Sequence, residues 1–282
     1  MEALSPRGEA PHAAGGKADP SARTTPTPAP SSASTPEIAT PELLAFVAEP
    51  HAIANYQPST GIGLFDAEYD VANRQLVVTV RCAFRFQSGS QRRFPEADAA
   101  DLAWDDASRA EWKKGYIETV SNKWSTQHSF RCSQPGLQTL AASVRVEVLE
   151  AEKDWHFRLD VTRIPKGAWS GSSVSTYQGS TTEQNFATLD SEDLKPSDKG
   201  GSEGQYGAVH EFGHMVGLGD EYGKDAEIAH ATLVRDALGK QISRGDSDDV
   251  MSCANRVAPQ HYVTFLEALK KSTGVEAWSI AE

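Results

Sequence analysis

Residues 210–222 read HEFGHMVGLGDEY, and the first five of them form an HExxH motif. On an α-helix, which turns by about 100° per residue, His210 and His214 lie one turn apart on the same face. Their imidazoles can therefore approach one metal ion at about 2.0–2.1 Å, the usual Zn–N distance. Glu211 lies about 60° further round the helix, where its carboxylate can contact a metal-bound water rather than the metal.

The residues around the motif favour a helix that presents such a site. Val209, Phe212 and Val216 fall on the side opposite the histidines, where they would anchor the helix in a core. Gly217 follows three residues after His214, where the helix must stop if the chain is to double back. Glycine tolerates the left-handed conformation that such a reversal requires.

Two adjacent carboxylates follow the predicted reversal. Asp220 and Glu221 could each reach the metal as a third, oxygen ligand, and the other could then orient a ligand. Two histidines four residues apart can also be ordinary polar residues on an exposed helix. The glycine and the carboxylates that follow make metal ligation the better interpretation.

The pattern HExxHxxGxxD resembles the metzincin clan of zinc metallopeptidases, whose usual third ligand is His and less often Asp. Metzincins also carry a methionine in a tight turn beneath the metal, and the stretch DVMSC at 249–253 supplies Met251 in this position. The resemblance implies that Asp220 is the third ligand and Met251 the Met-turn residue. The string at 220–222 is also similar to the HExGH…DEY string of bacterial metallopeptidases related to IgA peptidases.

The resemblance implies a zinc-dependent endopeptidase that acts on a protein or peptide substrate. One catalytic zinc ion would activate a water, and Glu211 would serve as the general base. Some metzincins use a tyrosine two residues beyond the methionine, but Cys253 stands there, so Tyr222, Tyr206 or Tyr262 would have to take that role. The alternative function is a catalytically silent zinc-binding module for protein recognition on a protease fold.

The hydrophobic patterns predict an α+β (mixed α/β) fold with one sheet and the chemistry in the C-terminal half. The predicted elements are a strand at 75–86, a helix at about 106–124, a hairpin of strands at 144–149 and 155–161, an edge strand near 185–189, and helices at about 204–217, 225–238 and from Pro259 to Gly274. This order is similar to a metzincin: a twisted sheet with a long helix, then the zinc helix, the Met-turn and a C-terminal helix. In that family the edge strand pairs with extended substrate, which here points to residues 184–190.

The composition changes sharply near residue 40. Nine of the fifteen prolines lie within the first fifty residues, and residues 1–40 contain no aromatic side chain. Such a segment buries little apolar surface, so we expect a disordered arm that serves as a linker, a pro-segment or a delivery tag. Residues 41–282 are predicted to form a single metallopeptidase domain, divided into an N-terminal subdomain at about 57–203 and the catalytic part at 204–282.

Charge and hydropathy exclude several classes of function. The net charge of −12 argues against nucleic acid or an anionic membrane as the main partner. No apolar run approaches the roughly 20 residues that a membrane span needs. The N-terminal sequence lacks a basic region followed by an apolar core, so we expect no classical signal peptide. The protein would then be cytoplasmic or exported by a non-classical route.

Two further patterns are interpreted as structural. The serine-rich stretch at 169–175 lacks the second glycine of GxSxG, because Ser175 stands there, and is predicted to be a flexible loop rather than a hydrolase site. His128, His156 and His261 are isolated in the sequence and are predicted to be ordinary surface or core histidines.

Acidic and thiol groups in the rest of the chain leave alternatives open. Asp246, Asp248 and Asp249 lack the ligand series of an EF-hand, so a solvated turn is predicted and calcium is an unsupported alternative. Cys82 and Cys132 could form one disulfide or remain buried free thiols.

Overall fold

The computed structural model describes residues 40–176, 185–222, 228–242 and 248–281. The α-helices found there are α1 (Pro41–Val47), α2 (Asp106–Trp124), α3 (Gly207–Met215), α4 (Ile228–Leu238) and α5 (Val263–Thr273), the last preceded by a 3₁₀ turn at Pro259–Tyr262. The strands are β1 (Ala52–Tyr56), β2 (Phe65–Asp70), β3 (Gln75–Gln87), β4 (Ser129–Cys132), β5 (Ala141–Glu150), β6 (Phe157–Thr162), β7 (Ser173–Ser175), β8 (Phe186–Asp190), β9 (Pro196–Ser197), β10 (Gln205–Tyr206) and β11 (Trp278–Ile280). The arm predicted at 1–40 lies outside the described residues except for Thr40.

The long strand β3 organises the main sheet. Its alternating residues Leu76, Val78, Val80 and Cys82 are completely buried, as the period-2 pattern predicts. The strand order is β11-β4-β5-β3-β6-β8-β7, with β2 on the first half of β3 and β1 beside β2. The central strands β5, β3, β6 and β8 are parallel, and the outer strands pair antiparallel. The fold is therefore mixed α/β with a twisted, mostly parallel sheet.

The predicted hairpin of 144–149 and 155–161 is wrong. Both segments are strands, but β5 and β6 run parallel to β3 on opposite edges, at residues 75–82 and 82–87 of β3. The connection between them crosses β3, where backbone N–H groups of Ala151 and His156 donate to carbonyls of β3. Alternation defines the buried face of a strand but not its partner, so the polar turn suggested a hairpin that β3 prevents.

The predicted edge strand is also displaced from the edge. Residues 186–190 do form a strand, β8, but β7 pairs antiparallel with it and occupies the edge of the described sheet. The flexible loop predicted at 169–175 is thus partly a strand. Three-residue strands carry too short a pattern to be detected by alternation.

The helix α2 supports the centre of the molecule and has the predicted bounds. Asp105 caps its first turn through a hydrogen bond from the backbone N–H of Ser108. Trp112, Tyr116 and Trp124 belong to its buried stripe, and the indole N–H of Trp124 donates to a backbone carbonyl of α3 at 3.1 Å. This hydrogen bond and the packing of Trp124 fix the position of α3 relative to α2.

The C-terminal elements return to the sheet. The helix α5 ends at Gly274, whose φ of 68° is the left-handed conformation expected of a C-terminal glycine. The strand β11 then pairs with β4 at the far edge of the sheet. The start predicted for α4, at Asp225, lies outside the described residues. No helix among the described residues combines the length and apolarity that a membrane span requires.

The cysteines are unpaired thiols. Cys82 and Cys132 are both buried, and burial raises the pKa of the Cys82 thiol far above its ordinary value. The disulfide that the sequence left open is therefore not formed.

Candidate metal centre

The helix α3 carries the HExxH residues on a rigid apolar base. Val209, Phe212 and Val216 are completely buried, which confirms the predicted anchoring stripe. His210 and His214 project from the other side of the helix, with ring centroids 4.9 Å apart. The sequence periodicity thus places both imidazoles correctly.

A tight reversal ends α3 and depends on glycine. The backbone N–H of Leu218 donates to the carbonyl of Gly213 at 2.9 Å, and that of Gly217 to the carbonyl of His214 at 3.1 Å. This pair of bonds is a Schellman motif, and Gly217 has the φ of +99° that it requires. A Cβ at Gly217 would also lie 2.6 Å from Cγ of Pro58. The reversal brings residue 220 back toward the histidines.

The structure brings Asp220 together with the two histidines. Oδ1 of Asp220 lies 3.3 Å from Nε2 of His210 and 3.4 Å from Nε2 of His214. One ligand atom from each of the three residues lies within 4.8 Å of the others. Two imidazole nitrogens and one carboxylate oxygen are a donor set that zinc commonly uses.

Backbone carbonyls fix the orientation of both imidazoles. Nδ1 of His210 lies 2.8 Å from the carbonyl oxygen of Val250, and Nδ1 of His214 lies 2.7 Å from that of Leu218. A carbonyl only accepts hydrogen bonds, so each Nδ1 carries the proton. In the neutral rings Nε2 then carries the lone pair and faces Asp220. Histidines that ligate metals are oriented in the same way.

With both Nδ1 atoms protonated, the atoms that face one another at the site are all hydrogen-bond acceptors, namely Nε2 of the two histidines and Oδ1 of Asp220. Oδ1 of Asp220 is buried and has no hydrogen-bond partner of good geometry among the described residues. When the histidines are neutral, three acceptor atoms converge on one point, which is costly unless a cation or a proton compensates them. The residues therefore fit a zinc ion.

The pKa values of His214 and Asp220 indicate that the two side chains form an ion pair when no metal ion is bound. Burial disfavours the charged form of His214, but its contact with Asp220 and the charge of Glu211 outweigh this and raise its pKa to about 9. Burial would raise the pKa of Asp220, yet the two imidazoles hold it well below its usual range. A proton on His214 thus balances the carboxylate of Asp220, and a metal ion at this position would have to displace that proton.

Glu211 has the surroundings of a general base. Its side chain is buried, and Oε2 has no hydrogen-bond partner within the described part of the chain. Burial raises the pKa of the carboxyl above its ordinary value, opposed by the nearby His214 and His210. A carboxylate whose pKa is moved toward neutrality can both accept and return a proton.

Glu221 lies away from the metal centre, although it follows Asp220 directly. Its carboxylate is completely buried, with Oε1 3.2 Å from Nε2 of His261. Its backbone N–H donates to the carbonyl oxygen of Met251 at 2.9 Å. Of the two carboxylates that the sequence left open, the structure places only Asp220 with the histidines.

The turn that contains Met251 lies beneath α3. Met251 is completely buried, and a Cβ at Gly213 would overlap its Sδ atom. The same turn contacts the two sides of the site, since the Val250 carbonyl orients His210 and the Met251 carbonyl holds the backbone of Glu221. Met251 and the Val250 carbonyl thus pack against the helix that carries the two histidines.

The candidate tyrosines separate clearly. Tyr222 is 48% exposed and stacks on His210, with ring centroids 6.2 Å apart, and burial raises its pKa to about 12. Tyr262 is completely buried and donates its hydroxyl hydrogen to the carbonyl of Trp124, so the structure does not bring it to the site. Tyr206 immediately precedes α3 and is absent from the described lining of the cleft.

An open cleft runs past Glu211 and His210. One part of it, a groove of about 240 Å³, is lined by residues 172–174 and Thr176, that is, by β7 and its flanks. An adjoining part, a recess of about 530 Å³, is lined by residues on both sides of Trp169 and shares Glu211 and His210 with the groove. Neither feature was predicted from the sequence, where Trp169 at the start of the serine-rich stretch was the one local signal for the recess.

A second cluster of three metal-type ligands was also missed. Ligand atoms of Glu221, Asp249 and His261 lie within 4.8 Å of one another, and all three side chains are buried. The solvated turn predicted for Asp249 is wrong, because Oδ1 pairs with Arg256 at 2.7 Å and Oδ2 accepts from Gln260 at 2.9 Å. Of the other residues of that acidic run, Asp246 lies outside the described residues.

No protein-family model matches this chain, and comparisons with curated proteins and with solved structures give no significant match.

Proposed function

We propose that this protein is a zinc-dependent endopeptidase. The observation that carries the proposal is the convergence of His210, His214 and Asp220 beside the unpartnered carboxylate of Glu211, in a cleft open to solvent. A binding module would need the three ligands but not a buried carboxylate with a raised pKa next to them.

The residues of the site have separable roles in this proposal. Zinc held by the three ligands would lower the pKa of a water molecule and polarise the carbonyl of the scissile bond. Glu211 accepts the proton of the attacking water and passes it to the leaving amine. Tyr222 is exposed beside His210, where its hydroxyl can donate a hydrogen bond to the oxyanion of the transition state.

The edge strand β7 is the proposed platform for the substrate. Residues 173, 174 and 176 line the groove beside Glu211, and the sheet order leaves one side of β7 without a partner among the described strands. An extended peptide can add to such an edge through backbone hydrogen bonds. The sequence suggested residues 184–190 for this role, but β8 is paired with β7, so β7 is the strand that we propose to bind the substrate.

A metzincin-like arrangement with Asp as the third ligand is part of the proposal. The Schellman reversal at Gly217, the proximity of Asp220 to the histidines and the turn of Met251 beneath α3 support it. The first two features lie in the segment that directly follows α3, and the third comes from a separate stretch about thirty residues further along the chain.

The test is the substitution Glu211→Gln. The variant should bind one zinc ion per chain and unfold like the wild type, because none of the three proposed ligands changes. Its kcat/KM on a denatured protein substrate should fall by about 10²–10⁴-fold, the usual contribution of a general base. Glu118→Gln, the same change on the exposed side of α2, is the matched control and should retain full activity.

Each outcome separates the alternatives. Unchanged cleavage by Glu211→Gln would show that the proposed mechanism is wrong. Stoichiometric zinc without cleavage by the wild type would favour the silent recognition module. Absence of stoichiometric zinc from the purified wild type would contradict both functions.

A further inference from the structure

The recess beside Glu211 has a cationic rim. Lys166, Trp169 and Lys199 line it, together with His210 and Glu211 at its inner end. Nζ of Lys199 lies 5.0 Å from the centroid of the Trp169 ring, and this ring is 64% exposed. The flat indole and the ammonium group form one wall of a space large enough for a side chain.

The carboxylates at the floor of the recess are already satisfied by the protein. Asp190 accepts hydrogen bonds from the backbone N–H groups of Ser170 at 3.1 Å and Glu192 at 2.7 Å. Asp193 accepts from Oγ of Ser172 at 2.6 Å and from the backbone N–H of Asp190 at 2.7 Å. Burial, with Asp190 adding to it, raises the pKa of Asp193 to about 7, so its negative charge is only partial near neutral pH.

The cations divide into one that is paired and two that are not. Lys195 pairs with Glu192 at 2.7 Å. Within the described ranges, Lys166 and Lys199 have no carboxylate partner within ion-pairing distance. These two ammonium groups are therefore the charges that the recess offers to a ligand, even though acidic residues line it in similar number.

The recess is close enough to the catalytic carboxylate to hold a neighbouring substrate residue. Glu211 and Lys199 both line it, together with His210. A peptide that pairs with β7 and has its scissile bond at Glu211 would therefore also pass this recess, since both spaces share Glu211.

We propose that Lys166 and Lys199 bind a carboxylate on the substrate residue adjacent to the scissile bond, so that the enzyme prefers acidic peptides. The inference rests on the proposed peptidase function. The carboxylate can come from an Asp or Glu side chain or from a free C-terminus, and the ammonium groups recognise the same chemistry in both. Trp169 would cover the aliphatic part of the side chain.

The experiment starts from a parent peptide with blocked termini that the wild-type protein cleaves. Peptides with Glu, Gln or Lys at the positions next to the cleaved bond are compared by kcat/KM. We expect Glu to exceed Gln by about three- to tenfold at one of these positions, the range that one or two partly exposed ion pairs supply. The ratio should shrink as salt is raised to about 1 M, where such pairs are screened. A Gln peptide with a free C-terminus, compared with its amide, tests the second source.

Charge reversal tests the residues. Lys199→Glu and Lys166→Glu should each lower the Glu/Gln ratio, and the double variant should favour Lys over Glu. Each variant is scored by its own Glu/Gln ratio, because any general effect of the new charge on Glu211 changes both peptides alike and cancels in the ratio. Lys153→Glu, in the exposed turn between β5 and β6, makes the same change outside the recess and should leave the ratio unaltered.

Binding gives a readout that does not depend on cleavage. The affinities of the same peptides for Glu211→Gln, measured by fluorescence anisotropy, should follow the order Glu, Gln, Lys and lose that order with Lys199→Glu. If the peptides bind in this order but the wild type does not cleave them, the proposed peptidase function is wrong, whereas the recognition of a carboxylate by the two lysines is supported. Equal values for Glu and Gln, or a preference that survives both reversals, would overturn the inference even if the protein is an active peptidase.

Discussion

Asp220 and Glu221 are neighbours in sequence but belong to two different clusters of three His and carboxylate residues in the described part of the chain, and the two clusters differ in their hydrogen bonding. Asp220 belongs to the first, with His210 and His214, and Glu221 to the second, with Asp249 and His261. In both clusters the ligand atoms lie within 4.8 Å of one another. Residue type and proximity are thus the same in the two regions.

Hydrogen bonding distinguishes them. In the second cluster, Nδ1 of His261 accepts from the backbone N–H of Ala258 at 2.9 Å, so the proton of the neutral ring is on Nε2 and points to Glu221. Arg256 and Gln260 saturate Asp249. The first cluster has the reverse tautomer in both histidines, with lone pairs directed inward. A metal site therefore needs acceptors left over after the protein has used its donors.

Asp220→Asn should have the largest effect, because it removes the charged ligand of the first cluster. Zinc affinity should fall by more than about 100-fold, beyond the usual effect of altering a residue that only orients a ligand. The free energy of unfolding of the metal-free protein should fall by no more than about 1–2 kcal/mol, because a partly exposed carboxylate then no longer stabilises protonated His214. Zinc titration and denaturant unfolding measure the two quantities. Retained zinc affinity would mean that Asp220 is not a ligand.

Met251 tests the element that connects the clusters. Met251→Ala should lower the free energy of unfolding by about 2–5 kcal/mol, because a completely buried side chain beneath α3 would leave a cavity. Met251→Leu, which keeps most of the volume, should cost less than about 1.5 kcal/mol and retain stoichiometric zinc. Equal unfolding curves for the two variants would show that the turn does not support α3.

Glu221→Gln is the counterpart of Asp220→Asn in the second cluster, with the opposite outcome. An amide places a donor against His261 or Gln260, which already donate, so the free energy of unfolding should fall by about 1–3 kcal/mol. Zinc affinity should stay within about tenfold of the wild type. Loss of zinc together with unchanged stability would reverse the assignment of the two carboxylates.

Much of the fold could be predicted from local pattern. The helix α2 has the predicted bounds of about 106–124, and β3 covers the strand predicted at 75–86. The zinc-helix prediction of 204–217 was longer than the observed Gly207–Met215, because the short strand β10 precedes the helix and Gly217 reverses the chain. Strand pairing was not predictable. The strand β3 is long enough to pair with β5 along one edge and with β2 and β6 along successive parts of the other. The alternation of buried and exposed residues carries no information about which strands pair.

The sequence by itself determined the helix with its two histidines and Glu211, because periodicity and glycine chemistry are local properties. Only the tertiary structure separated Asp220 from Glu221, covered β8 with β7 and brought Lys166 to the same recess as Lys199. Each of these features depends on which hydrogen-bond donors and charged groups come into contact in the folded chain. The contacting residues are far apart in sequence, so the local spacing of residues carries no information about them.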